Sequence, residues 1–571
     1  MNRTLPIVNT ITNTDKMKLF IDVARGVRPA DLVITNAQIY NPFIREWEIG
    51  SLAIQDGRIA GVGNYHGMHE LNLKGLSIVP GLIDAHVHIE SSLLTPAEYA
   101  RVVLLHGTTT VIADPHEIAN VCGKDGIKYM LKSQDVTPLD LFFTLPSCVP
   151  ATPLDESAEI LSAEDLTMFI HHSGVVGLGE MMNVPGTLNQ DPDVMKKLAL
   201  SDIKEGHAPF LRGPDLQAYI ATGVQSDHET ISLEEAREKI KSGMYLYVRE
   251  GSTEKNLNVL LPAITSATAD RCSFCTDDRH VDMLVESGHI DDCIRKAIES
   301  GLEPELAYRL ATLSPAERFG LHDRGALNPG RLADFCVIDD VNTCNVIRTF
   351  KHGKEILNIS YHATPTCSYQ FRSHVPSPED IRITGNGRAR VVGIIPEQIA
   401  TDSLIYEISG ETPYDIDQDI IKVVVASRYY EDRVGIGLVH GLKMKEGAIA
   451  SSVAHDSHHV IAAGTSDDEI LHACREVIRN RGGMVCVHDG FSTVLPLSCA
   501  GLMADEPYTQ VYNQLSKLNK LTEKTGAIEN PFMYLSFLSL TVIPSLRITP
   551  GGVFDCSLFA QVPLFIDEMG S

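Results

Sequence analysis

The chain has 571 residues, room for about two to four domains, and its 44% hydrophobic and 21% charged residues are an ordinary globular composition. A formal net charge of -26 repels phosphate backbones and argues against a nucleic-acid partner. No apolar run approaches the ~20 residues of a membrane span. Met1 to Lys16 lacks the charged-then-apolar order of a signal peptide. The 12 cysteines are scattered, many in apolar runs such as Phe335-Cys336-Val337, the usage of a reduced, cytoplasmic protein.

In chain order, Met1 to Lys16 is polar, rich in Thr and Asn, and read as disordered. Short β-rich runs follow, Leu32-Val33-Ile34 and Leu52-Ala53-Ile54, broken by turn signals such as Asp56-Gly57. The same texture returns at Gly325–Gly353, so residues 1–75 and 325–360 are expected to meet in one small β subdomain. Residues 76–324 alternate apolar and helix-like stretches. Candidate strands centre on Ile78–His88, Thr108–Asp114, Leu141–Leu145, Val175–Met182, Ile203–His207, Gly223–His228, Tyr245–Arg249 and Cys272–Asp277. Eight βα units in ~250 residues fit a (β/α)8 TIM-like barrel of the α/β class. Residues 361–388, with Pro365, Pro376 and Pro378, read as a linker. Residues 389–571 read as a separate C-terminal α/β domain, with strands Val391–Ile395 and Ile421–Ala426 and a helix Asp467–Arg481 that stops before Gly482-Gly483.

The sharpest chemical signal is Asp84-Ala85-His86-Val87-His88 at the end of the first predicted strand. Residues i and i+2 of a strand share a face, so His86 and His88 can aim two imidazoles at one point. A random His-x-His pair is usually unremarkable surface or core. Here it lies at the strand end that becomes the active face of a barrel. Glu180, His207, His228 and Asp277 also close predicted strands. Each alone has a mundane alternative, Glu180 as a helix-capping acid and His207 as a loop histidine. Together they suit two divalent metals. Cys272-Ser273-Phe274-Cys275 lacks the preceding proline and the spacing of the cytidine-type zinc deaminases, and reads as core. No phosphate loop or serine elbow is present.

Pro80-Gly81-Leu82-Ile83-Asp84-Ala85-His86-Val87-His88 resembles the opening motif of the amidohydrolase superfamily. Ile89-Glu90-Ser91-Ser92, Asp114-Pro115-His116-Glu117-Ile118, Gly179-Glu180-Met181-Met182, Val248–Ser252, Thr276–Arg279 and Ala454-His455-Asp456-Ser457-His458 narrow this to a resemblance to the bacterial-type adenine deaminases, running from about Ala30 to the C-terminus. The resemblance implies a metal on His86, His88 and Asp277, a second on His207 and His228, and Glu180 bridging them. It implies Mn or Fe, with Zn allowed by the same ligands. It also implies that a metal-activated hydroxide attacks C6 of adenine to give hypoxanthine and ammonia, as in purine salvage and adenine catabolism, with Asp277 moving the proton.

Departure of the amine needs a second acid. Glu229, His116, Glu117 and Asp278 are the candidates for that acid or for holding the purine. Glu229 points away from His228 if its strand continues, and toward the site if a turn intervenes. His116 and Glu117 have an alternative as a helix N-terminus after Asp114-Pro115. Arg249 is expected to touch substrate or to form a structural ion pair with Glu250. His455 and His458 are expected to reach the site as a lid or substrate contact, or else to be a solvated turn. A homodimer is expected. A cyclic-amide hydrolase of the hydantoinase or dihydroorotase kind, or an inactive homologue that only binds, are the competing readings.

Overall fold

The structure is a computed structural model that describes residues 13–357, 359–360, 367–408 and 414–566. Eight parallel strands form the central barrel: β1 (Leu82–Val87), β2 (Thr108–Ala113), β3 (Asp140–Leu145), β4 (Val175–Met181), β5 (Lys204–Gly206), β6 (Ser226–Asp227), β7 (Tyr245–Arg249) and β8 (Cys272–Cys275). Strands β1 to β5 form one hydrogen-bonded run and β6 to β8 another. Such strands are covered on both faces, which is why they read as apolar runs rather than alternating ones. Ile83, Ala85, Ile112, Val176, Tyr247 and Cys275, from five of the strands, pack into one cluster.

The two runs meet at polar positions. His88 N–H donates to the Asp277 carbonyl (3.2 Å) and Asp277 N–H to that of His86 (3.1 Å), joining β1 to β8. Between β5 and β6, Gln225 N–H reaches the Lys204 carbonyl (3.2 Å) and Gly206 N–H the Ser226 hydroxyl (3.1 Å). The barrel therefore closes on the segments that carry the candidate ligands.

The predicted strand Ile78–His88 is in fact two. Ser77–Pro80 belongs to a different sheet, antiparallel to Phe335–Ile338 and parallel to part of Ala30–Asn41. The chain changes sheet at Gly81, where a Cβ would lie 2.1 Å from the Thr109 hydroxyl, so only glycine admits that approach. That second, eight-stranded sheet joins Ala30–Asn41, Glu46–Gln55, Arg58–Val62, Gly67–Asn72 and Ser77–Pro80 to Phe335–Ile338, Val346–Lys351 and Lys354–Glu355. Segments on both sides of the barrel thus build one small β subdomain.

Two expectations need correction. Residues 1–12 lie outside the described residues, but Asn13 to Lys16 are ordered. The Asn13 side chain accepts from the N–H groups of Asp15 (2.9 Å) and Lys16 (3.2 Å) and caps helix Thr14–Ala24. The stretch 361–388 is not a free tether. Residues 361–366 lie outside the described residues, but beyond them Tyr369 and Phe371 stack on Arg428, Arg372 N–H bonds the Arg428 carbonyl (3.0 Å), and a strand begins at Gly387. Proline removes donors and disfavours helix, which gives a linker-like texture even to a packed segment.

The C-terminal third is built on an eight-stranded mixed sheet from Gly387–Ile394 to Phe491–Pro496, covered by helices Asp467–Arg479 and Tyr508–Lys524. Helix Pro531–Phe537 and a small sheet, Leu546–Thr549, Gly552–Asp555 and Ala560–Gln561, complete it.

A buried cation supports the β5 and β6 ends. Lys239 Nζ donates to Asp227 Oδ2 (3.0 Å), Glu235 Oε1 (2.6 Å), Thr230 Oγ1 (3.2 Å) and the Ala208 carbonyl (2.7 Å). Asp227 Oδ1 accepts the Ala208 N–H (2.7 Å), tying together the loops of His207 and His228. Removing one partner of a buried ion pair leaves an uncompensated charge and typically costs about 3–5 kcal/mol. Lys239→Met is therefore expected to destabilise the barrel by about that much. Urea unfolding followed by circular dichroism measures it, and a shift within error of the parent would refute the role.

Candidate active site

Both histidines of the His-x-His pair leave β1 toward the same point. The β1 backbone sets this by its period of two, and Asp84 fixes its end. Asp84 Oδ1 accepts from the N–H groups of His86 (3.2 Å) and Thr276 (3.2 Å), clamping the ends of β1 and β8 together. Past β8 the chain turns at Asp277 in the left-handed region (φ 55°), where aspartate is among the tolerated residues. Predicted strands five, six and eight stop short of His207, His228 and Asp277, so these three lie on turns just beyond the strand ends.

The six expected ligands are brought together and buried, each no more than 4% exposed. His86 Nε2 and His88 Nε2 are 3.2 Å apart and lie 3.2 and 3.0 Å from Asp277 Oδ1. Glu180 stands between two sets of donors. Its Oε1 is 3.6 Å from His86 Nε2 and 3.3 Å from His88 Nε2, and its Oε2 is 2.7 Å from His207 Nδ1 and 3.3 Å from His228 Nε2. Donors at about 2.0–2.2 Å from a common cation sit about 3.0–3.5 Å from one another. Glu180 Oε1 and Asp277 Oδ1 are buried without a hydrogen-bond partner, a costly state that a bound cation would relieve. The donor set therefore fits divalent metal.

The supporting groups agree. His88 Nδ1 donates to the Asp114 carbonyl (3.0 Å), which leaves the Nε2 lone pair free for the site. Asp114 Oδ2 accepts the Glu180 N–H (3.0 Å).

The remaining candidates surround this cluster. The chain turns after Asp227, so Glu229 enters the site, with Oε1 3.4 Å from His228 Nε2 and 3.8 Å from His207 Nδ1. Arg249 makes no pair with Glu250, whose Oε2 instead meets Lys296 (3.0 Å). Its guanidinium grips both oxygens of Glu229 and lies 2.8 Å from Asp277 Oδ2. Burial pushes the Glu229 and Asp277 carboxyls up, but Arg249 and the neighbouring imidazoles outweigh it and hold both low. His116 Nδ1 is 3.4 Å from Glu180 Oε1, and its Nε2 is 3.5 Å from Glu117 Oε1 and 3.6 Å from Asp456 Oδ1.

His455 and His458 are buried rather than a solvated turn. Glu117 binds His455 Nδ1 through one oxygen and His458 Nε2 through the other. Burial opposes the Glu117 charge, and the two imidazoles win, holding its carboxyl well below the usual range. Asp278 accepts from the Ser91 hydroxyl and lies 3.9 Å from His455 Nε2. Burial raises its carboxyl.

Sequence reasoning missed Ile399, Phe537 and Leu540, which line the same cavity, and also Met182 and Asp456, which sit inside two of the motifs that carry the resemblance. Ile399, Phe537 and Leu540 carry no signal that separates them from core.

Two family models match the chain: the amidohydrolase family over residues 77–356, and the adenine deaminase C-terminal domain over residues 398–560. A protein of Methanoculleus marisnigri named adenine deaminase is 58% identical, aligned over 90% of this chain and 99% of its own. One of Methanoregula boonei, also named adenine deaminase, is 55% identical over 95% and 98%. The adenine deaminase 2 of Carboxydothermus hydrogenoformans is 44% identical over 96% and 99%.

Glycine at 179 is required by the same packing. A Cβ there would lie 2.2 Å from Asp114 Oδ2 and 2.9 Å from the Leu145 carbonyl, and would displace the carboxylate that seats Glu180. Disturbing such a supporting group typically costs about 10–100-fold in metal affinity. Gly179→Ala is expected to show that loss in chelator-competition measurements, and parent-like affinity in the folded variant would count against it.

Proposed function

The chain belongs to the adenine deaminase family of the amidohydrolases, and on that footing we propose that it hydrolyses adenine to hypoxanthine and ammonia with two divalent ions per chain, Mn or Fe, with Zn as a substitute. It is a hydrolase of C–N bonds in cyclic amidines. The single observation that carries the two-ion reading is Glu180, each of whose oxygens faces a different group of imidazoles. His86, His88 and Asp277 would hold one ion and His207 and His228 the other. Bound there, the ions supply a hydroxide-like nucleophile near neutral pH by lowering the pKa of water to about 7.

In the overall change the C6–O bond forms, the C6–N bond breaks, and the two protons of water end on ammonia and on the purine ring. The proton that Asp277 takes up returns to a ring nitrogen, and the one left on the oxygen replaces the proton that Asp278 gives to the amine. Asp277 receives the proton of the attacking water at Oδ2, the oxygen it now shares with Arg249 Nη1. Arg249 keeps that carboxylate anionic until then, and its grip on Glu229 anchors it when the Asp277 contact loosens. Of the four candidate acids, Glu229 is committed to Arg249 and Glu117 to two imidazoles. His116 packs on His88 and Glu180. Asp278 has the Ser91 hydroxyl as its hydrogen-bond partner and lines the cavity, so we assign to its carboxyl the proton that the departing amine takes. His455 lines the cavity beside Asp278 and is the histidine of that turn placed to touch the base, while His458 stands behind it and shares the Glu117 carboxylate.

The buried free cysteines and the acidic composition support a cytoplasmic setting. No helix among the described residues is long and apolar enough to cross a membrane.

Elemental analysis of fully loaded protein is expected to give two ions per chain, and kcat/KM is expected to be larger for adenine than for adenosine. One ion per chain, or a preference for the nucleoside, would overturn the corresponding half of this reading.

Asp277→Asn keeps the shape of the side chain and removes its ability to take the proton. The expected loss in kcat is about 10²–10⁴-fold, larger if an ion is also lost. Metal content measured beside kcat separates the two causes. A variant that keeps its metals and stays within about tenfold of the parent would remove Asp277 from the proton path.

A further inference from the structure

The cavity above the metal ligands has one apolar side. Ile399, Phe537 and Leu540, all from the C-terminal third, line it, each no more than 5% exposed. With Met533 and Ile543 they form a small cluster of their own. The Phe537 ring lies on His455, with centroids 4.9 Å apart and planes 25° from parallel, which fixes its plane. His455 is in turn held by Glu117.

Behind this cluster stands Arg547, fully buried on strand Leu546–Thr549. Its Nη2 donates to the Ile399 carbonyl (2.9 Å) and more loosely to that of Pro544 (3.3 Å), its Nη1 to the Phe537 carbonyl (2.9 Å), and its Nε to the Ile543 carbonyl (2.8 Å). Burying a guanidinium is expensive, and here its donors go to main-chain carbonyls rather than to a carboxylate. Those carbonyls belong to the segment after helix Pro531–Phe537 and to the distant Ile399, which the chain alone does not hold together. Thr401 ties the same two segments through Pro544 (3.0 Å) and Leu546 (2.9 Å), and the guanidinium adds the direct bonds to the carbonyls of the two wall residues Ile399 and Phe537, setting where they stand relative to the metal ligands.

We propose that Ile399, Phe537 and Leu540 form the wall on which the planar base lies, and that Arg547 is the positioning residue that holds this wall in register with the metal centre. The proposal rests on the adenine reading above. A flat aromatic substrate with all its polar groups on its edge suits one apolar side and one side of imidazoles and carboxylates. The wall touches none of the reacting atoms, so it binds ground state and transition state alike and its loss falls on KM.

The test is steady-state kinetics with adenine on full-length, metal-loaded protein. Phe537→Ala and Arg547→Met are each expected to raise KM about 5- to 100-fold, the range for losing one aromatic contact to a base, with kcat within about threefold. Metal content is expected to stay at the parent level, and Arg547→Lys to fall between parent and Arg547→Met. A KM within about twofold of the parent in folded Phe537→Ala and Ile399→Ala would overturn the wall. A parallel fall of kcat and metal content in Arg547→Met would overturn the positioning role in favour of a general structural one. If Arg547→Met does not fold, Phe537→Ala and Ile399→Ala decide the wall and Arg547→Lys the positioning role. A parent that does not deaminate adenine would overturn the substrate assignment instead, and this is read before any variant is made.

Discussion

Four imidazoles and two carboxylates are buried against one another, and the rest of the molecule is arranged around the cost of keeping them there. Two of their ligand-type atoms, Glu180 Oε1 and Asp277 Oδ1, have no hydrogen-bond partner. Such a cluster is tolerable only if a cation satisfies it and if every side chain is held from behind. The backing is specific: Asp84 behind His86, Asp114 behind both His88 and Glu180, Arg249 behind Asp277, and Lys239 behind the loops of His207 and His228. The barrel strands also meet at these same segments, so closure of the fold and assembly of the site are one event.

The barrel alone does not complete the cavity. The face opposite the candidate ligands comes from residues more than a hundred positions beyond Asp277, through two buried arginines that bond main-chain carbonyls. Arg547 organises the apolar side. Arg428, between Tyr369 and Phe371, donates to the carbonyls of His458 and Ala500 and shapes the turn that carries His455 and His458. A guanidinium is suited to this because its planar fork spans several carbonyls at once without needing a fixed rotamer at each.

What could be read from the chain follows from how local each signal is. The barrel strands were legible because parallel strands buried on both faces leave apolar runs, and His86 and His88 because a period of two is visible in three residues. The break at Gly81 was not, since Ser77–Val87 is apolar on both sides of a change of sheet. The inward turn of Glu229 depends on a strand that ends two residues earlier, at Asp227, and Arg249 found Glu229 rather than its neighbour Glu250 for the same three-dimensional reason. Ile399, Phe537 and Leu540 were invisible because a wall residue and a core residue have the same chemistry. Only the side they face distinguishes them.

The sheet change at Gly81 also bears on how the chain is made. Ser77–Pro80 pairs with Phe335–Ile338, and the barrel lies between them in sequence. A ribosome adding about 5–20 residues per second needs tens of seconds to cover the roughly 250 residues that separate these partners. For that interval the flanking sheet has an unfilled edge beside Ser77–Pro80, and Ile78 and Val79, which face opposite sides of that strand, wait for their cover. The barrel must therefore reach its last strand before the sheet at its base can be sealed, and nascent chains stalled before residue 335 would carry that open edge as their site of vulnerability to chaperones and to one another.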